Sequence, residues 1–265
     1  MLVAAIGLAR HASAIERVRF RSFSTELGLA QSTVSDLAVD SFGFLWLATQ
    51  DGLSRFDGRR FDNFQKHEDP SRGLKDNFLL ALASDARGAL YIASQSPTLT
   101  RFDLFSERFS HFDLASVLQA RDDFVVSLRW LDERRLALST RRSGVLIFDA
   151  EERRLLPQPE VLKAAGTRVL LRLNEQCWLA QGSSMLLADT HFRSVRTVLT
   201  LANQVPGALI KRRTGGFLLG TNSVGVIALD EQYRRLDEFS LASAAPRQLS
   251  DNYVRTLLED RQGQI

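Results

Sequence analysis

From Val34 onward the chain alternates short apolar runs with turn residues, and the alternation itself repeats. Residues 34–64 read VSDLAVDSFGFLWLATQDGLSRFDGRRFDNF, in which runs at about 35–39, 44–49, 53–56 and 60–64 are separated by polar turns. Runs this short, rich in β-branched and aromatic residues and bounded by Asp, Ser and Gly, predict strands. The second run, Leu-Trp-Leu-Ala-Thr at 45–49, returns as Leu-Tyr-Ile-Ala-Ser at 90–94 and Leu-Ala-Leu-Ser-Thr at 136–140. It returns again as Cys-Trp-Leu-Ala at 177–180 and Phe-Leu-Leu-Gly-Thr at 217–221. The third run ends each time on an aspartate: Asp57, Asp103, Asp149, Asp189 and Asp230. The spacing of about 40–46 residues is that of a four-stranded propeller blade. The predicted fold is therefore all-β, an incomplete β-propeller of about five four-stranded blades and the start of a sixth. The expected blades are 31–73, 74–119, 120–160, 161–202 and 203–248, with 249–265 beginning the next.

Local chemistry agrees with that pattern. Gly43, Gly88 and Gly263 each stand three residues after an aspartate, where a hairpin turn needs positive φ. No segment with helical period and caps stands out. The nearest, 155–165, contains Pro157 and Pro159, which a helix interior does not tolerate. A blade cannot bury both faces alone, so Trp46, Tyr91 and Trp178 are expected in the layers between neighbouring blades. An aromatic ligand box is the alternative use of these rings.

The ends are out of phase with a closed ring. The outer-strand pattern of 60–64 recurs at 108–112 and 235–239, and also at 19–23, ahead of the first blade. Residues 18–23 are therefore expected to complete the last blade of an intact ring. At the other end, 249–265 reads as an inner strand and turn that stops before its tryptophan. The reading is a fragment whose unpaired strand edges favour aggregation. Residues 2–9 form a short apolar run followed by Ala12-Ser13-Ala14, so 1–17 is expected to be a clipped signal peptide or a disordered tail.

Composition changes this picture little. Of 265 residues, 45% are hydrophobic and 25% charged, which suits a globular protein, and the net charge is only +3. Arginines outnumber lysines but alternate with acids, as in Asp132-Glu133-Arg134-Arg135 and Glu151-Glu152-Arg153-Arg154, which reads as solvated hairpin tips. No basic stripe with exposed aromatics points to nucleic acid. Cys177 is the single cysteine, which rules out an intrachain disulfide.

The segment from Leu29-Ala30-Gln31-Ser32-Thr33-Val34 through Asp40-Ser41-Phe42-Gly43-Phe44-Leu45-Trp46 to Asp51-Gly52-Leu53-Ser54-Arg55-Phe56-Asp57-Gly58 resembles the two-component regulator propeller repeat. Residues 249–265 resemble another copy. Repeats three to five diverge: the glycine turn is lost at 132–135, and Ala137 and Leu218 replace the tryptophan. In that family the propellers are periplasmic sensors of inner-membrane proteins. A β-sandwich, a transmembrane helix and an output module follow, commonly a histidine kinase or a diguanylate cyclase. The resemblance thus implies a ligand-binding sensor, non-enzymatic in this part, dimeric in the intact protein, and tied to the membrane only through segments not in this sequence. The implied ligand is a small solute such as a saccharide or its breakdown product.

Chemical motifs add no enzyme. His11, His67, His111 and His191 lack metal-ligand spacing. No Gly-x-Ser-x-Gly elbow or phosphate-binding glycine loop occurs, and no cofactor or metal is expected. His67-Glu68-Asp69 lies in the longest polar connector, 65–73, expected to be a solvated loop. Lys211-Arg212-Arg213 reads as a hairpin tip. The alternatives to a sensor are a propeller lyase or glycan-active enzyme, which needs acid–base groups clustered at one mouth of the ring, and a protein-interaction scaffold.

Overall fold

The computed structural model describes residues 22–244 and 248–265. The leader expected at 1–17 and most of the outer strand expected at 18–23 lie outside the described residues. Among these there are five four-stranded sheets, each an antiparallel meander in chain order. Blade one comprises β1 (Val34–Val39), β2 (Leu45–Thr49), β3 (Gly52–Phe56) and β4 (Phe61–Phe64). Blade two comprises β5 (Leu79–Ser84), β6 (Ala89–Ser94), β7 (Thr98–Asp103) and β8 (Arg108–Asp113). Blade three comprises β9 (Val125–Trp130), β10 (Arg135–Thr140), β11 (Val145–Asp149) and β12 (Arg154–Leu156). Blade four comprises β13 (Arg168–Leu173), β14 (Gln176–Gln181), β15 (Ser184–Asp189) and β16 (Val195–Thr200). Blade five comprises β17 (Pro206–Lys211), β18 (Phe217–Thr221), β19 (Val226–Leu229) and β20 (Arg235–Phe239). The 155–165 segment, with its two prolines, ends strand β12 and forms one 3-10 turn, Glu160–Leu162.

The recurring second-strand motif is explained by position. Its first aromatic or aliphatic residues face neighbouring blades. Trp46 packs with Phe64 and Phe102 between blades one and two. Tyr91 meets Trp130 and Phe148 between blades two and three. Trp178 meets Phe217 between blades four and five. The small residue that follows (Ala48, Ala93, Ser139, Ala180 or Gly220) is buried because adjacent blades approach closely there. A Cβ built on Gly220 would stand 2.7 Å from Val254 Cγ1. The closing threonine caps the next hairpin through its hydroxyl: Thr49 Oγ1 donates to the Gly52 carbonyl at 2.8 Å, Thr140 to Gly144 at 2.9 Å and Thr221 to Gly225 at 3.0 Å.

The stack has two unlike ends. Leu82 pairs with Ile92 in blade two just as Leu37 pairs with Leu47 in blade one. Leu82 is 3% exposed, whereas Leu37 is 55% exposed. The difference is the blade lying on Leu82. Part of blade one's open face is covered instead by the residues before β1. Phe23 packs edge-on against Phe56 and Phe61, Asn63 Nδ2 donates to the Gly28 carbonyl at 2.8 Å, and the Ala30 amide donates to Ser54 Oγ at 3.1 Å.

Residues 249–265 were expected to be an inner strand, but they form none among the described residues. They run along the far face of blade five without a sheet partner of their own, and a strand needs such a ladder. Leu249, Val254 and Leu257 pack against Leu218, Val226 and Ala228. The expected turn does form: Asp260 accepts the amides of Gln262 and Gln264, both at 2.8 Å, and Gly263 takes φ 82°.

Candidate functional site

Meander topology sends the turns after the first and third strands to one end of the stack. The hairpins after the second strand and the inter-blade connectors go to the other. Most residues singled out by the repeat lie at the turn end, and there they serve the backbone. Asp57, Asp103, Asp149, Asp189 and Asp230 each follow or close a third strand and accept backbone amides of the following turn. Gly43 and Gly88 both take φ 88°, as those tight turns require. Asp149 is further held by Arg134, whose guanidinium lies 2.7 Å away and reaches Glu152 at 2.6 Å. That hydrogen bond holds the Asp149 carboxyl down at about 2. Burial pushes the Cys177 thiol up to about 11, which leaves it an inert core group.

One turn aspartate has a second role that the sequence did not announce. Asp40 accepts the Phe42 and Phe44 amides on Oδ1 and the buried Trp46 indole N–H on Oδ2 at 2.7 Å. In blade four the turn is shortened to Asn174-Glu175, and Leu173 occupies the register position of Asp40. Trp178 Nε1 consequently finds no hydrogen-bond partner among the described residues. An orphaned buried donor costs about 1–3 kcal/mol. Leu173→Asp, which places a carboxylate beside that indole, is therefore expected to stabilise the chain by about 1 kcal/mol, read as a raised urea midpoint at unchanged slope.

At the connector end the blades differ from one another, so this is where a binding site can be built. The junctions after blades one and five are clamped alike. Asn77 Oδ1 accepts the Lys66 amide at 2.7 Å and its carbonyl accepts the Gly52 amide at 2.8 Å. Asn252 does the same for Leu241 and Gly225. After blade three the clamp is Gln158, whose Nε2 donates to the carbonyls of Ser143 and Val145. Arg141 and Arg142 share Asp122 beside it.

In the connector 65–73, expected to be a solvated loop, His67, Glu68 and Asp69 are exposed, while the part around Pro70 and Ser71 folds back on blade two. Its Ser71 carbonyl accepts the Phe109 amide at 3.0 Å, and Leu74 is buried beneath it. The Pro70 carbonyl lies 2.7 Å from His111 Nε2. A carbonyl only accepts, so Nε2 carries the proton and Nδ1, 2.9 Å from Thr100 Oγ1, accepts from that hydroxyl. Burial, with Lys75 nearby, holds His111 below the ordinary imidazole value and keeps it neutral. Between this connector and β8 opens a cleft of about 770 Å³. Its polar lining includes Lys75, Asp113, Ser110 and Thr98. Of these four only Ser110 falls within a landmark of the repeat, the outer-strand pattern of 108–112. The one signal in the sequence was the length of the connector.

No family model matches the chain. A stretch of 55 residues, 21% of the chain, is 40% identical to histidine kinase P4 of Formosa agariphila, of which it spans 4%. The extracellular domain of the hybrid two-component system BT4673 of B. thetaiotaomicron superposes with a TM-score of 0.60 at 15% identity, over 89% of this chain and 37% of that one. Virginiamycin B lyase of Staphylococcus aureus superposes at 0.56 with 8% identity, over 77% and 68%. The structural likenesses establish a β-propeller, which hosts sensors and lyases alike. The chain spans well under half of the kinase and of the extracellular domain it resembles.

Proposed function

We propose that this chain is a two-component regulator propeller, the periplasmic, non-catalytic sensor portion of a membrane-bound bacterial signalling protein, and that it binds a small solute at its connector end. The observation that carries this reading is the stretch 40% identical to a histidine kinase, set in a propeller repeat. The division of labour within each blade supports it. The repeated aspartates and glycines are engaged in turns, and the residues that vary between blades gather at the connectors. Bound solute would favour one relation between propeller and following domain, and so bias an output module by population shift.

A thermal-shift screen of saccharides and small metabolites on this chain tests the reading. A sensor is expected to show a concentration-dependent rise in Tm with one solute class, worth about 2.7 kcal/mol at a hundredfold excess over Kd. The solute must be recovered unchanged. Chemical conversion of it would assign a propeller enzyme instead, and a screen without any shift would remove the sensor reading.

A further inference from the structure

The way the connector is held on blade two has a counterpart on blade one. Ser54 and Asn63 face each other across β3 and β4 as Thr100 and His111 do across β7 and β8. On blade one, Ser54 Oγ donates to Asn63 Oδ1 at 2.7 Å, and Asn63 Nδ2 donates at 2.8 Å to the Gly28 carbonyl of the segment before β1. On blade two, Thr100 Oγ1 donates to His111 Nδ1 at 2.9 Å, and His111 Nε2 donates to the Pro70 carbonyl at 2.7 Å. Each pair is a buried hydroxyl and a two-ended side chain that accepts from it and donates to the covering segment. Each segment also buries the leucine that follows a glycine, Leu29 after Gly28 and Leu74 after Gly73. The two arrangements differ in one respect: an imidazole takes up a proton near neutral pH and an amide does not.

Protonation removes the acceptor that holds Thr100, because both ring nitrogens then donate. The Thr100 hydroxyl is 4% exposed and makes no other hydrogen bond among the described residues, so its proton is left without a partner. Of the charged groups lining the same cleft, Lys75 on the connector opposes a charged ring, and Asp113 on β8 favours one but has Oδ1 engaged by the Ala115 amide. Thr98 and Thr100, which share the ring's face of β7, carry no charge. Burial is the largest influence, and against the carbonyls of Pro70 and Gly73 it keeps the ring below its ordinary 6.5. We propose that His111 is a pH-sensitive latch: neutral, it holds the connector on β8, and protonated, it leaves Thr100 and lets the connector go. Because the docked ring is harder to protonate than a free one, the latch is whole above about pH 6.5 and is lost as pH falls below it. It ties the wall of the blade-two cleft to pH, whatever the propeller binds.

NMR of the isotope-labelled chain between pH 7.5 and 5.0 tests the latch. The Phe109 amide, bonded to the Ser71 carbonyl, reports docking of the connector, and the Ala30 amide, bonded to Ser54 Oγ, reports the matching segment on blade one. Hydrogen-exchange protection at Phe109 is expected to fall about fivefold as His111 titrates, while that at Ala30 changes by less than about twofold. His111→Asn, which copies the arrangement of Asn63, is expected to abolish the step. His67→Gln is expected to keep it, since His67, the other imidazole of the connector, is exposed and accepts only the Asp69 amide. Equal falls at Phe109 and Ala30, a fall whose midpoint is not that of the His111 ring, or a step that persists in His111→Asn overturns the latch. None of these results bears on the sensor reading, which the solute screen decides separately.

Discussion

Trp46→Ala is expected to destabilise the chain by about 3–5 kcal/mol, the usual cost of removing a large aromatic from a packed core. The indole is fully buried, lies 5.3 Å ring to ring from Phe102 of the next blade and 5.6 Å from Phe64 of its own, and donates to Asp40. The substitution removes apolar area, leaves a cavity between two blades, and frees one oxygen of Asp40. Its effect therefore reaches the contact between blades one and two. Arg55 also spans this contact, stacking over Trp46 and pairing with Glu107 of blade two at 2.7 Å. Urea unfolding followed by circular dichroism measures the loss. Trp46→Phe keeps most of the apolar volume and isolates the Asp40 hydrogen bond, at about 1–2 kcal/mol. A loss below 1 kcal/mol for Trp46→Ala would mean that the ring does not lie between blades.

The second large effect is a contrast between two leucines at one register position. Leu82→Ala is expected to cost about 2–5 kcal/mol, because the side chain is 3% exposed and packs in the layer containing Trp46 and Phe102. Leu37→Ala in this same chain is expected to fall within about 0.5 kcal/mol of no change, since Leu37 is 55% exposed. Both leucines occupy equivalent inner strands, so local propensity predicts equal costs and only stacking predicts unequal ones. Parallel urea titrations of the two variants decide it, and equal losses would refute the stacking of blade one on blade two.

The unequal leucines also show where reading the chain residue by residue stops. Period, strand positions and turn chemistry were legible because each is set by neighbours in sequence. Asp40, Gly43 and the Leu-Trp-Leu-Ala-Thr run carry their conformation with them. Burial of Trp46, Tyr91 and Trp178 was also legible, since a repeated sheet has only its neighbours to cover its apolar faces. The divergent turns of blades three to five were harder to read. Ala137 and Leu218 replace the aromatic without loss of the blade, because other apolar groups fill those layers: Ile147, Leu162, Leu179 and Phe192 beside Ala137, and Leu249, Val254 and Leu257 beside Leu218. The bond from Trp46 to Asp40 joins residues only six apart, yet the repeat flagged each for a different reason.

By itself, then, the sequence determined the blade, its repetition and the hairpins that shape it, because these depend on side-chain alternation and on φ at a few turn residues. Tertiary structure alone decided which face of blade one lies open, and that the connector after blade one is pinned at Pro70 and Ser71 to the outer strand of blade two. The physical reason is that the connector is held by backbone carbonyls of Pro70 and Ser71 bonded to Phe109 and His111, some forty residues away. Every residue has a backbone carbonyl, so nothing in the order of side chains marks the ones that will be used.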